Sequence, residues 1–351
     1  MNKTKQIKEG LYVGKFIAYH KGHQNCINQF SQLCDKLKVV ICTRKNDKVP
    51  AVFRKKWFEN DIKLNLYKDI KNPEKIEFYQ LEEDNIPLYP NGLVQWCNEI
   101  SKIVGNVDIM FGNEQYVREC SEVFNSEFYV PDEDRNALNV SSTKIYEAKL
   151  KYYDYLTTAS KSYFNKVVLI LGHEQIGKTK LIKQLAQHYG TTYIEEYGRD
   201  FFENEILKEG LHGLSNWGIT EFENLCIFYE EKLQSILNQP NKIIFIDACS
   251  LIIEVYSNLY IRQSSSLLQK LIQNEKIDKI FLLKNNNIPI DYEKNEYLKK
   301  LQIQNKKLVE KEFLYEYLKH SLNYFGKEYV EISNENRLES IKKEINSSFL
   351  I

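Results

Sequence analysis

Glycine is scarce, with 14 in 351 residues, so each cluster that remains says more than it would in a glycine-rich chain. Excess charge of either sign is missing as well: 48 basic residues balance 48 acidic ones. A general nucleic-acid binder carries a basic surplus, so no DNA binding is expected, a local basic patch aside. No apolar run approaches the roughly 18 residues of a membrane span; the longest, such as Val167–Leu171 and Ile243–Ile246, are strand-sized. The start, Met1-Asn2-Lys3-Thr4-Lys5-Gln6, lacks the apolar stretch of a secretion signal. The seven cysteines are odd in number, scattered, and form no Cys-x-x-Cys pair. That pattern argues against a disulfide framework or a zinc knuckle and for small core residues in a reducing compartment. A cytoplasmic protein is expected.

At 41.6 kDa the chain exceeds the size at which one hydrophobic core stops growing. Two domains are expected, 1–150 and 166–351, joined by a polar, aromatic linker at 151–165 that has no apolar period. Each domain opens on a strand, a glycine-bearing turn and a helix. The first is Leu11-Tyr12-Val13-Gly14-Lys15-Phe16, then a helix over Gln24–Lys36 with Ile27, Phe30, Leu33 and Cys34 at helical spacing, then a strand Lys38–Cys42. Val107–Phe111 reads as a later strand of the same sheet. The second begins at Lys166–Gly172, continues into a helix carrying Leu181, Leu185 and Tyr189, and is followed by buried strands at Ile243–Asp247 and Ile280–Leu283. Strand, helix, strand in this rhythm predicts α/β architecture with two doubly wound parallel sheets. Leu314, Leu318 and Leu322 lie on one face of a late, highly charged helix whose charges read as a solvated surface.

Two stretches carry chemistry. His20-Lys21-Gly22-His23 opens a helix directly after a strand. A helix N-terminus offers unpaired N–H groups to an anion, Gly22 permits close backbone approach, and two imidazoles can donate to charge developing on a phosphoryl oxygen. A surface loop with two solvated histidines is the alternative. Gly172-His173-Glu174-Gln175-Ile176-Gly177-Lys178-Thr179 fits G-x-x-x-x-G-K-[ST], with the strand before it and helix after it that the motif needs. Its N–H groups form a nest for phosphates, Lys178 reaches the outer ones, and Thr179 can ligate Mg²⁺. Asp247, at a strand end, is a candidate Mg²⁺ partner or proton acceptor; a solvated turn or a helix cap is the plainer reading.

Gly14-Lys15-Phe16-Ile17-Ala18-Tyr19-His20-Lys21-Gly22-His23 resembles the G-x-F-x-P-x-H-x-G-H signature of the nucleotidyltransferase superfamily. Val140-Ser141-Ser142-Thr143-Lys144-Ile145-Tyr146 resembles its second signature, I-S-S-T-x-I-R. Ala18 stands for the signature's Pro. Tyr146 stands for its Arg, with Lys144, Lys149 and Arg135 as the cations nearby. With the phosphate loop added, the whole chain resembles the NadR family, which joins nicotinamide mononucleotide (NMN) adenylyltransferase to ribosylnicotinamide kinase; the resemblance implies a Rossmann-like nucleotidyltransferase domain followed by a P-loop kinase-type domain. Asp84–Gly92 with Trp96 is similar to that family's nicotinamide-side loop, Gly112–Tyr116 to its G-[NE]-E/A-x-Y turn, Glu196-Tyr197-Gly198-Arg199 to its E-Y-[AG]-R element, and Asp247-Ala248-Cys249 to its D-T-[DN] strand end. The likeness weakens later: Ile290–Lys294 stands where the family has a D-G-[FL]-R lid, and Cys249 replaces the second acid. About ten residues precede the first strand, too few for the family's helix-turn-helix domain, so repression is not expected.

The resemblance implies ATP and Mg²⁺ as cofactors, with NMN, ribosylnicotinamide and ATP as the small-molecule substrates. The catalytic candidates are His20, His23, Lys178 and Asp247. ATP contacts in the first domain are Gly14, Lys15, Phe16, Gly22, Ser141, Ser142 and Thr143; in the second they are Gly172, Gly177, Lys178 and Thr179. Thr179 and Asp247 are the metal candidates, and Tyr89, Trp96, Arg54, Glu196 and Arg199 the substrate candidates. Core packing is the commoner fate of Tyr89 and Trp96, and a solvated face is an equal reading for Arg54. Two rivals stay open: a fused phosphopantetheine adenylyltransferase and dephospho-coenzyme A kinase, and a weakened NAD/ATP sensor contacting a partner such as a nicotinamide riboside transporter. Assembly into a homo-oligomer is also open.

Overall fold

A computed structural model of the chain describes residues 8–112, 116–131, 141–173, 176–195, 217–284, 311–333 and 336–350. The chain divides into two units, one built on Met1–Phe164 and the other on Asn165–Ser348. Both are α/β with fully parallel five-stranded sheets, as the alternation of strand and helix patterns predicts.

In the first unit β1 (Glu9–Gly14), β2 (Lys36–Thr43), β3 (Ile76–Glu82), β4 (Ile109–Phe111) and β5 (Glu127–Tyr129) stand in the order β3-β2-β1-β4-β5. Parallel neighbours need crossovers, and these are supplied by α1 (Lys21–Leu33), α2 (Ala51–Phe58), α3 (Leu93–Val104) and α4 (Tyr116–Phe124). β1 and β2 are sheathed on both faces, so Leu11, Val39 and Val40 are buried without alternation. The strand order reverses beside β1, where open α/β sheets hold their ligands, outside the carboxyl ends of the strands. α1 starts at Lys21, earlier than the apolar spacing suggests, because His20 caps it; it stops at Leu33, which is exposed.

The stretch 151–165, expected as a linker, instead belongs almost wholly to the first unit's core. Tyr153, Leu156, Ala159 and Phe164 are buried, and Thr157 N–H and Ser160 Oγ both donate to Tyr19 O, at 3.2 and 2.6 Å. Trp57 packs against Tyr163 and Phe164. After α5 (Ser142–Glu147) the chain runs as short turns, with 3-10 helix at Tyr153–Tyr155 and Ser162–Phe164 around α6 (Thr158–Lys161). Its buried side chains therefore follow no single period, which is why the sequence hides them.

The second unit has β6 (Lys166–Leu171) at the centre of the order β10-β9-β6-β8-β7, with β7 at Thr192–Ile194, β8 at Ile243–Ile246, β9 at Lys279–Leu283 and β10 at Val330–Ile332. α7 (Lys178–Tyr189) follows β6 and ends on Gly190 at φ +60°, a left-handed C-cap that suits glycine. Leu314, Leu318 and Leu322 of the helix Lys311–Tyr324 are buried, and Glu316 on that helix is exposed, as expected. Among the described residues no helix is long and apolar enough to cross a membrane.

Leu156 tests the reassigned stretch, being 0% exposed. Leu156→Ala is expected to destabilise the first unit by about 2–5 kcal/mol, as core truncations do. Chemical denaturation checks this; a change within about 0.5 kcal/mol, as for a solvated tether, contradicts it.

Candidate functional site

In the first unit the chain leaves β1 through Gly14, whose missing Cβ lets the Phe16 ring lie against the backbone; a Cβ there would sit 3.0 Å from Phe16 Cζ. Phe16 itself holds a left-handed φ of +50°, uncommon for a bulky residue and a mark of a constrained loop. Its buried ring meets Tyr12, Tyr19, His23 and Phe58 edge-on. Tyr19 O–H and Gln24 Nε2 both donate to Asp61 Oδ2, at 2.7 and 2.6 Å, which ties this loop and α1 to the π-turn Glu59–Lys63. Burial pushes the Asp61 carboxyl above its ordinary value.

His20 and His23 form a reciprocal cap on α1. Gly22 N–H donates to His20 Nδ1 at 3.1 Å, and His20 N–H donates to His23 Nδ1 at 3.4 Å. The two rings stack with centroids 3.8 Å apart. Because each Nδ1 accepts, each neutral imidazole carries its proton on Nε2, which makes that nitrogen the donor. Ser141 caps the short helix Ser142–Glu147, and Ser142 Oγ donates to Ala18 O at 3.4 Å. The two distant signatures therefore meet, with Thr143 exposed in the first turn of that helix. Tyr146 is flanked by two ammonium groups, Lys149 Nζ at 4.2 Å and Lys48 Nζ at 5.0 Å from its ring centroid.

Further along the same strand edge, Glu83 gathers three partners: Trp96 Nε1–H at 3.0 Å, Arg44 Nε–H at 3.3 Å and the Lys15 ammonium at 3.6 Å. Tyr116 O–H donates to Val13 O and its ring meets Trp96 edge-on. Trp96 is thus held at the strand ends. Tyr89 is not with it; it is exposed and donates to Glu119 Oε1 at 2.9 Å. Arg54 departs from its expectation as a substrate ligand. It is 0% exposed, with Nη1 on Lys15 O and Cys42 O and Nη2 on Asp47 Oδ2. Its charge braces the loop from behind, because a fully buried guanidinium must find its acceptors inside the fold.

In the second unit Gly172 packs so closely on Ile176 and Leu283 that a Cβ would meet them at 3.0 and 3.2 Å. Gly177 is the N-cap of α7 at φ +96°. Lys178 is buried, and its ammonium donates to Gly172 O at 3.0 Å and His173 O at 3.3 Å, folded over the loop. Thr179 Oγ1 donates to Asp247 Oδ2 at 2.6 Å, joining the first turn of α7 to the end of β8. A hydroxyl and one buried carboxylate fit Mg²⁺, which keeps most of its shell for water and phosphate. Cys249 is the buried N-cap of the helix Ser250–Ile261, and burial pushes its thiol up. Glu196, Arg199, Arg135 and Ile290–Lys294 lie outside the described residues.

No motif or period marks Glu83, Asp61, or the acid pair around Ser250, just after Asp247. In that pair Ser250 N–H donates to Glu275 at 3.2 Å and Ser250 Oγ to Glu230 at 3.0 Å. Burial, then the charge of Glu230, pushes Glu275 up to about 8.

Residues 167–339 match the family profile described as AAA domain. The chain is 25% identical over 294 residues to the trifunctional NAD biosynthesis/regulator protein NadR of Salmonella typhimurium, covering 79% of this chain and 69% of the relative. It is 24% identical over 296 residues to the Escherichia coli protein of the same name, with the same coverages. A solved NadR in complex with NR superposes with a TM-score of 0.76 at 21% identity, covering 99% of this chain and 97% of that one. A second, in complex with NAD and AMP-PNP, gives 0.75 at 20% identity, covering 98% and 97%. The chain is NadR-like. The solved NadR structures share the fold across both units, not the second alone.

Glu275 yields a pH test. Its folded value of about 8 lies above the ordinary 4.5, so its stabilising effect is complete below about pH 4.5 and is lost as pH rises through about 8. Glu275→Gln keeps the acceptor for Ser250 and cannot ionise. Thermal melts are expected to show the wild type losing stability between about pH 5 and 8 and the variant losing less, so that the variant melts higher at pH 8. Parallel profiles contradict this.

Proposed function

We propose that the chain phosphorylates ribosylnicotinamide to NMN in its second unit and adenylylates NMN to NAD in its first. The observation that carries this reading is the pairing of two anion-binding turns: the His20/His23 cap with Ser142 beside it, and the phosphate loop with Thr179 on Asp247. The curated relatives' name, NAD biosynthesis, supports the same assignment.

In the second unit the ribosyl hydroxyl attacks the γ-phosphorus of ATP; the β–γ bridging bond breaks, and ADP leaves. Lys178 stabilises the transferring phosphoryl group, and Asp247 accepts the hydroxyl proton or serves the metal. Thr179 and Asp247 would hold Mg²⁺, which when bound neutralises the charge of the phosphate oxygens. Glu196 and Arg199 are the candidates for positioning the substrate. In the first unit a phosphate oxygen of NMN attacks the α-phosphorus of a second ATP, releasing pyrophosphate. The Nε2–H groups of His20 and His23, with Lys15, Ser142 and Thr143, stabilise the charge that develops. Lys48 and Lys149, gathered at Tyr146, supply the cationic charge that the superfamily takes from arginine. Trp96, fixed by Glu83, offers a ring to the pyridine. Alignment and charge stabilisation supply the acceleration, and no covalent intermediate is needed.

Purified protein with ATP and Mg²⁺ is expected to convert NMN to NAD, and ribosylnicotinamide to NMN and then NAD, with products resolved by chromatography. His20→Ala is expected to lower the adenylyl transfer about 10²–10³-fold, the usual effect of losing one transition-state donor, and Lys178→Ala the phosphorylation alone by a similar factor. Tight ATP or NAD binding with neither product formed contradicts the enzyme and favours a sensor, the reading to which Tyr146 and Cys249 point. Turnover of 4′-phosphopantetheine instead contradicts the nicotinamide assignment.

A further inference from the structure

The helix Arg337–Phe349 begins with a side chain that reaches back to the phosphate loop. Arg337 Nη1 donates to Ile176 O at 2.9 Å and Nη2 to Lys284 O at 2.8 Å. Lys284 leaves β9, and its own N–H donates to Ile332 O of β10 at 2.9 Å. One planar fork therefore joins the loop after β6 to the exits of β9 and β10.

The bond to Ile176 bears on phosphate binding through the geometry of one peptide. A phosphate nest needs N–H groups turned in and carbonyls turned out. In a trans peptide the C=O of Ile176 and the N–H of Gly177 point in opposite directions. Drawing the carbonyl out to Arg337 turns the Gly177 N–H the other way. Among the described residues Arg337 is the side chain bonded to Ile176 O, while the N–H of the preceding peptide, on Ile176, reaches His173 O at 3.4 Å. The Arg337 bonds are shorter and charge-assisted, and a lysine, as a point charge, cannot hold two carbonyls in one plane.

We propose that Arg337 is a positioning residue for the second unit's nucleotide, fixing the Ile176–Gly177 peptide with its N–H toward the phosphates. The inference rests on reading Gly172–Thr179 as a phosphate loop. Its test uses the full chain and a non-hydrolysable ATP analogue, the second unit's share being the binding that Lys178→Ala removes. Arg337→Lys is expected to weaken that share about tenfold, the loss of one charge-assisted hydrogen bond. In phosphorylation assays it is expected to raise the KM for ATP more than it lowers kcat, leaving NMN adenylylation unchanged. Added guanidinium is expected to restore part of the affinity of Arg337→Ala, a rescue that a purely structural role would not give. Wild-type affinity in both Arg337 variants, or a lowered melting temperature with unchanged affinity, overturns the role of Arg337 alone. Undiminished binding in Lys178→Ala overturns the phosphate-loop reading and this proposal with it.

Discussion

A parallel strand can pair with its predecessor only after the chain has crossed back over the sheet, so every strand of such a sheet delivers its carboxyl end to one edge. Both units are wholly parallel, and both carry their polar turns at that edge. β1 and β6, the first strand of each unit, lie at the centre of their sheets, and the chain lays later strands on both sides of each. The loop leaving each meets an opening between diverging crossovers and then a helix whose first N–H groups have no intrahelical partner. Phosphate is the ligand that such an opening suits. The glycines follow from it: Gly14 admits the Phe16 ring, and Gly172 admits Leu283 and Ile176.

Holding those turns in shape takes buried polar groups, and both units use them at the back of the site. Arg54 secures the carbonyls of Lys15 and Cys42, and Asp61 secures Tyr19 and Gln24. Glu275 accepts the first N–H of the helix after Asp247. Each is a group that would be costly to bury alone, and each is hydrogen-bonded to backbone or side chains of the turns it braces. In the proposed function Lys15, His20, His23, Lys178 and Thr179 are the residues that touch substrate, and Arg54, Asp61 and Glu275 hold the turns from behind.

What could be read from the chain alone was whatever is local and patterned. The phosphate loop follows from fixed spacing between two glycines and Lys178, and the buried strands from runs such as Val167–Leu171. Thr179 and Asp247 could each be named as metal candidates from their motif and strand end, but nothing local announced the hydrogen bond between them. Three things stayed hidden. The packing of Tyr153 to Phe164 runs through successive short turns with no common period. Arg54 looks like a surface cation because it lies among Lys55 and Lys56, yet the fold turns it fully inward. Glu83 sits in an acidic stretch and Glu275 in one of mixed charge, and nothing local distinguishes a buried acceptor from a solvated charge at either. In each case the deciding partner lies far away in sequence.

In the proposed function one chain carries two triphosphate pockets. Calorimetric titration of the full protein with a non-hydrolysable ATP analogue and Mg²⁺ is expected to saturate at two analogue molecules bound per chain. Saturation at a single molecule per chain, or no binding at all, contradicts it.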